Sequence, residues 1–436
     1  MLQKKIAVLA DDLTGACDTG VQFKKQGSRA AVYLKPDFVR KTARGAETFI
    51  FDTESRADNP SRARKKVRDW CRQLKPFEIN HIYKKIDSTL RGNIGVEIDE
   101  IMTFFDKKAA FIAPAYPEKG RTTRQGYHYV DDTLLAETEY GADLLSPLQD
   151  SFIPDILKKG GIDPGRVEVF RREQIQKNDL LDQIRANLAQ DRDIFIFDAQ
   201  TREDLGLLAE KLFSFPGIPL FCGSAGLAEE LAPLWLTRDQ EPAHRVRSIQ
   251  KNRTASKTGA GKIVVLAGSV RNKTTAQLRY LHQQKGVDRV MLKTAQLLAE
   301  PQKREQELNR VFARIDSLLQ ENDRIIISLT KEKWSKTAAE IRQDSEKILA
   351  SLREVAGFVV DNFICRGFVL TGGDTALNFC RAMGVPGLHI IEEVEPGIPA
   401  VNILGGRLAG RLLVTKAGGF GKKDSLLKAL RYIEQT

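Results

Sequence analysis

Along the first half of the chain, short apolar runs end in polar turns. Each turn opens a stretch with apolar residues every three or four positions. KKIAVLA reads as a strand, and ADDLTGACDTGVQFKKQG as a polar turn followed by a helix that stops at Gly27. RAAVYL and ETFIFDT predict further strands. NPSRARKKVRDWCRQLKP predicts a helix with a proline near its start and a proline stop. HIYKKID predicts a strand, and NIGVEIDEIMTFFD a helix. AAFIAP, RDIFIFD and PLFCG are compact enough to be buried strands. Strands alternating with helices predict an α/β fold built on a mostly parallel, helix-covered sheet.

Between 237 and 262 the pattern lapses. TRDQEPAHRVRSIQKNRTASKTGAGK is polar, basic and nearly free of apolar residues, as expected of a connection between domains. The alternation then restarts: KIVVLAGS, a helix at NKTTAQLRYLHQQKG, DRVMLKT, a helix over about 302–321, DRIIISLT, another helix and GFVLTGGDTALNFCRAMG. Two domains are therefore expected, 1–240 and 260–436, each a mostly parallel sheet covered by helices. A length of 436 residues suits two cores better than one.

Composition narrows the class of function. No apolar run reaches the length of a membrane span, and the first apolar run ends too soon for a secretory signal, so a cytoplasmic location is expected. The five cysteines are scattered without a CxxC pair, as suits a reducing compartment, and the five histidines form no metal-binding pattern. The expected protein-ligated metal is therefore none. A net charge of +11 fits either nucleic acid or small anions. With only 7% aromatic residues and no basic–aromatic interleaving, a nucleic-acid partner is not expected. Nor is a membrane.

Three glycine or polar turns follow strands in the second half: Gly268-Ser269, Thr371-Gly372-Gly373-Asp374-Thr375, and Lys416 with Gly418-Gly419-Phe420-Gly421. Backbone N–H groups at such turns, next to a helix start, can seat a phosphate. The plainer reading of the second turn is a helix capped by Asp374 or Thr375. No GxxxxGK[ST] and no post-strand GxGxxG is present, so neither a P-loop nor a dinucleotide fingerprint applies. In the first half, Asp11 and Asp12 close a strand. They could act as a general base or hold a metal, or simply cap the next helix. Asp52, Ser55 and Arg56 follow another strand, and IYKKIDSTLRGNIG concentrates Lys84, Lys85, Asp87, Ser88, Thr89 and Arg91. An acid needs a cationic fork and a polyol needs several short donors and acceptors, although a solvated basic loop would look alike. Arg121, Tyr127 and His128 sit in a Pro- and Gly-rich segment, the last two read as structural. Ser224 lacks a nucleophile elbow.

Together, ADDLTGACDTG, DTESR, KKIDSTLRGNIG, APAYPEKGRTT, GSAGLAEEL, LAGSV, TGGDTA, EPGIPA and TKAGGFG resemble, in order and over nearly the whole chain, the four-carbon acid sugar kinase family. The resemblance implies two α/β domains with the active site in the cleft between them, the first binding the sugar acid and the second ATP, with Mg²⁺. It assigns Asp12 as the group that orients or deprotonates the C4 hydroxyl. Asp11, Arg56, Lys84, Lys85, Asp87, Ser88 and Arg91 would hold the acid. Ser269, Gly372, Gly373, Asp374, Thr375, Lys416, Gly418 and Gly419 would hold the nucleotide. Family members act on threonate, erythronate or 3-oxo-tetronate. Asp87 followed by Leu90-Arg91-Gly92 is similar to the threonate/erythronate branch, whereas Asp132 stands where the family pattern expects glycine. The rival classes are a nucleotide-cofactor oxidoreductase and a sugar-acid-binding protein without activity, both separable by ATP-dependent turnover. A homodimer is compatible with the sequence.

Overall fold

Parallel strands buried on both faces carry mostly apolar runs, and among the described residues strands of that sort recur in both of two compact units. The computed structural model describes residues 5–42, 45–141, 148–236, 261–331 and 338–436; the expected connection at 240–260 lies outside them. One unit comprises the described residues up to Trp235 together with 338–343 and Pro386–Glu392; the other holds the remaining described residues from Leu236.

The first unit contains β1 (Ile6–Ala10), β2 (Ala30–Tyr33), β3 (Thr48–Asp52), β4 (His81–Lys85), β5 (Ala110–Ala113), β6 (Arg121–Arg124), β7 (Tyr127–Val130), β8 (Thr133–Leu134), β9 (Val167–Phe170), β10 (Ile194–Phe197) and β11 (Leu220–Gly223). Its main sheet runs β2-β3-β1-β4-β11-β5-β10-β9, parallel throughout. Every residue of β1, β3 and β10 is buried, as their apolar sequences require. The second unit contains β12 (Lys262–Ala267), β13 (Asp288–Leu292), β14 (Arg324–Leu329), β15 (Cys365–Thr371), part of β16 (Gly387–Glu395), β17 (Ile398–Leu404) and β18 (Leu412–Lys416). Its order is β13-β14-β12-β15-β18-β17, parallel except for the β17–β18 pair.

The two orders share a motif. In each unit the first strand lies third, between the unit's third and fourth strands, so the chain departs from it to one side and later resumes on the other. Ligands of open α/β sheets bind beyond the strand ends at such a switch point. In the first unit it falls between β1 and β4, and in the second between β12 and β15.

One segment differs from its sequence reading. The stretch 121–134, expected as a loop, forms the antiparallel sheet β6-β7-β8. Its strands are short and polar, so no apolar alternation announces them. Its turns rest on left-handed residues, Gln125-Gly126 (φ +52° and +76°) and Asp131-Asp132 (φ +48° and +62°). Asp132 therefore occupies a conformation that favours glycine, and aspartate is among the side chains that tolerate it.

Candidate active site

Three loops leave the C-terminal ends of the neighbouring strands β3, β1 and β4, whose last residues are level: Ala10 pairs with both Asp52 and Lys85. Asp12 is the N-cap of the helix Leu13–Lys25, and its Oδ1 accepts from the Gly15 N–H at 2.9 Å. The capping reading is thus correct, and it coexists with a second role.

That role is an ion pair. Arg56 donates from Nε to Asp11 Oδ2 (2.9 Å), from Nη2 to Asp11 Oδ1 (2.8 Å), and from Nη1 and Nη2 to the two oxygens of Asp12 (both 2.8 Å). The Ser55 and Arg56 N–H groups both donate to the Asp11 carbonyl, and Asn93 Nδ2 donates to the carbonyls of Ser55 and Asp58 at 2.9 Å. Burial would raise the Asp11 pKa, but Arg56, with Lys84 and Lys85 behind it, holds it below its usual value. Burial likewise opposes the Arg56 charge, which Asp11, Asp12 and Asp87 outweigh. Of the two aspartates only Asp12 is reachable: its side chain is 23% exposed against 3% for Asp11.

Lys84 departs from the sequence expectation. It is fully buried, its Nζ pairs with the equally buried Glu97, and so it lies beneath the site and does not face a ligand. Burial opposes its charge, yet Glu97 and Asp11 keep it above the usual lysine value. Lys85 lies closer to the opening. Its Nζ donates to the Ile86 carbonyl at 2.7 Å. A Cβ added to Gly15 would lie 2.9 Å from that nitrogen and 2.6 Å from Asp12 Oδ1, so the missing side chain lets both groups crowd the helix start.

The loop after β4 is built around Asp87. Its Oδ2 accepts from Thr89 Oγ1 (2.6 Å) and Arg91 Nε (2.5 Å). Burial would raise this carboxyl, but Arg91 and Arg56 hold it well below the usual range. Gly92, at φ +107°, packs on the Asp11–Arg56 pair, where a Cβ would sit 3.2 Å from Asp11 Oδ2. Ser88 is half-buried, and its carbonyl accepts from His128 Nε2 at 2.8 Å. Asp11, Asp12, Arg56, Lys85, Asp87, Ser88 and Arg91 thus belong to one connected cluster. Glu97 and Asn93 are parts of it that sequence reasoning missed, and His128, read there as structural, joins it too; each acts across more than ten residues with no local spacing signal.

The second unit brings its three loops together in the same manner, beyond β12, β15 and β18. A Cβ on Gly268 would lie 2.1 Å from Thr375 Oγ1, and one on Gly418 would lie 2.5 Å from Ser269 Oγ. Gly372 (φ +105°) lies against both Thr375 and Ser269, and its N–H donates to the Lys416 carbonyl at 2.9 Å. It also occupies the N-cap of the helix Gly373–Ala382, which no side chain caps, so neither Asp374 nor Thr375 plays the expected capping part. Asp374 is exposed at the helix start. Thr274 donates to the Gly418 carbonyl at 2.9 Å and lies 3.2 Å from Ser269 Oγ; Gln277 donates to the carbonyls of Phe420 and Lys422. Lys416 is buried and donates to the carbonyls of Ala417 (2.8 Å) and Phe420 (3.2 Å), curling the glycine loop around its ammonium. Burial, reinforced by Lys273, brings its pKa down to about 7. A nearby phosphate would oppose that shift. A helix start that no side chain caps, with lysines alongside, is an arrangement able to seat an anion.

Among the described residues no group of three or more His, Cys, Asp or Glu could hold a metal ion, and no helix is long and apolar enough to cross a membrane.

Residues 6–231 match the family described as sugar-binding N-terminal domain, and 264–426 that described as nucleotide-binding C-terminal domain. A D-threonate kinase of Salmonella typhimurium is 31% identical, over 99% of both chains. A 3-oxo-tetronate kinase of the same organism is 26% identical, over 98% of this chain and 99% of its own. A solved structure from Salmonella typhimurium aligns with a TM-score of 0.77 at 25% identity, covering 98% of this chain and 99% of its own.

Proposed function

Because the chain belongs to the four-carbon acid sugar kinase family, we propose that it transfers the γ-phosphoryl group of ATP to the terminal hydroxyl of D-threonate. The observation that carries the reading is the pairing of an accessible carboxylate with fixed cations. Asp12 is the exposed member of an Arg56-bound aspartate pair, with Lys85 beside it, at the switch point of the sugar-binding unit. D-Erythronate is the near alternative. The stretch around Asp87, whose carboxylate accepts from Thr89 and Arg91, is similar to the threonate/erythronate branch, which is why 3-oxo-tetronate ranks behind these two acids.

In the proposed reaction Asp12 accepts the hydroxyl proton, or a hydrogen bond from it, as the oxygen attacks the γ-phosphorus in line. The new O–P bond forms as the bond to ADP breaks. Lys85 and the remaining donor capacity of Arg56 bind the acid's carboxylate, and the Asp87, Ser88 and Arg91 loop reads its hydroxyls. The turns at Ser269, Gly372–Thr375 and Gly418-Gly419, with Lys416, hold the phosphates. Such transfer depends on positioning and charge neutralisation more than on covalent help from the protein. Mg²⁺ carried by the nucleotide phosphates would supply part of that neutralisation, which needs no dedicated protein cage.

The test is ADP release with Mg²⁺-ATP and, in turn, D-threonate, D-erythronate, L-threonate, 3-oxo-tetronate or no acid. Release that depends on D-threonate supports the reading; release with 3-oxo-tetronate alone would replace the acid. No release and no ATP binding would end the kinase reading. A sharper expectation concerns the second unit. Gly268→Ala forces a Cβ toward Thr375 Oγ1, so ATP affinity should fall about tenfold or more, as for the loss of one or two good hydrogen bonds. Acid affinity, measured by calorimetry, should not change.

A further inference from the structure

The loop Asp87–Gly92 is unusual in its backbone: Leu90 at φ +55° and Gly92 at φ +107° are both left-handed. For a buried leucine this conformation is strained, and the strain must be held by the surroundings. Much of the loop's own bonding is internal, through Asp87, Thr89 and Arg91. A bond that reaches it from elsewhere in the unit comes from His128, on β7 of the small antiparallel sheet.

The chemistry of that contact fixes the imidazole. A carbonyl oxygen only accepts, so Nε2 carries the proton and donates to Ser88. Nδ1 is then an acceptor, and the Thr123 hydroxyl, 3.2 Å away, supplies its proton. The ring is fully buried. Burial lowers its pKa to about 4, with Arg121 adding to the shift, so it is neutral throughout the working range. The sheet behind it is tied to the main fold. Thr123 N–H donates to the Ala199 carbonyl, His128 N–H to that of Ser151, and Asp198 accepts from the N–H groups of Gln125 (2.6 Å) and Gly126 (3.0 Å).

We propose that His128 is a positioning residue for the acid, its Nε2–H holding the Ser88 carbonyl so that Asp87, Ser88 and Arg91 keep the arrangement that reads the substrate's hydroxyls. The inference rests on the functional reading above and adds to it a residue that never touches the substrate. A space-filling role alone would predict a different result from mutation, because the donor would be dispensable once its volume is kept.

His128→Leu keeps the volume and removes the donor; His128→Gln places an amide N–H near the position of Nε2. In the full chain, with D-threonate and Mg²⁺-ATP, H128L is expected to raise the KM for the acid about tenfold, the scale of one lost buried hydrogen bond. KM for ATP should stay within about twofold of wild type, and H128Q should recover most of the acid affinity. An unchanged acid KM in folded H128L overturns the proposal. So does a parallel rise in both KM values with a lowered Tm that H128Q does not rescue. Should H128L fail to fold, Thr123→Val removes the hydroxyl that fixes the tautomer; a raised acid KM then supports the proposal and a wild-type one overturns it. A wild-type enzyme that releases no ADP with any acid brings down the functional reading itself, which separates the two failures.

Discussion

Asp12→Asn is expected to lower kcat by about 10²- to 10⁴-fold, the range for loss of a positioned general base, with KM for ATP nearly unchanged. The substitution is chosen because it spares the fold. Asn retains an oxygen for the Gly15 N–H, and asparagine caps helices as well as aspartate does. What it loses is the charge and the oxygen that faces Arg56 Nη1 at 2.8 Å. Arg56 would keep both bonds to Asp11, so the pair beneath should persist. Steady-state kinetics with each substrate varied, together with Tm, check this. Near-normal kcat with a raised acid KM would make Asp12 a binding residue and leave the proton to solvent.

Lys84→Met is expected to act on stability first. It strands Glu97 as an unpaired buried carboxylate and removes a cation that helps hold Asp11 ionised. Breaking a buried pair from one side typically costs about 3–5 kcal/mol. At about 2–4 °C per kcal/mol for a unit of this size, Tm should fall by roughly 10 °C. Adding Glu97→Leu removes the stranded charge, and the double variant should regain most of the loss, since apolar replacements of buried pairs are often neutral. Thermal unfolding of the three chains measures this directly. If Lys84→Met instead keeps its Tm and loses only acid affinity, the lysine reaches the ligand and the buried arrangement is not the one that binds.

This second case shows where sequence reasoning stopped. Lys84 and Lys85 are adjacent in a strand, so they point to opposite faces. The pattern IYKKID could not say which one meets the interior, because Glu97, its partner, lies thirteen positions on in a helix. Where the signal is local, the reading went further. Asp11-Asp12 after an apolar run gave both a strand end and a helix cap, and the two-glycine turn at 372–373 gave a strand–turn–helix. The clustering of the three loops in the second unit followed from their each ending a parallel strand, although the neighbour relation β12-β15-β18 needed the structure. The antiparallel sheet at 121–134 was invisible for the opposite reason: its strands are held by turns and by Asp198, 72 residues beyond Gly126, and not by an apolar face.

One feature of the first unit bears on how the chain reaches its native state. Strand β2 lies at the end of that unit's parallel sheet, and its outer side is covered only when Gly387–His389 pairs with it antiparallel. A ribosome emits β2 long before it emits that partner. In the interval the nascent unit carries an open strand edge, able to recruit any extended segment nearby, including the same segment of another chain. Synthesis order thus leaves the first unit waiting on its last strand, with the β2 edge open until Gly387–His389 has been made.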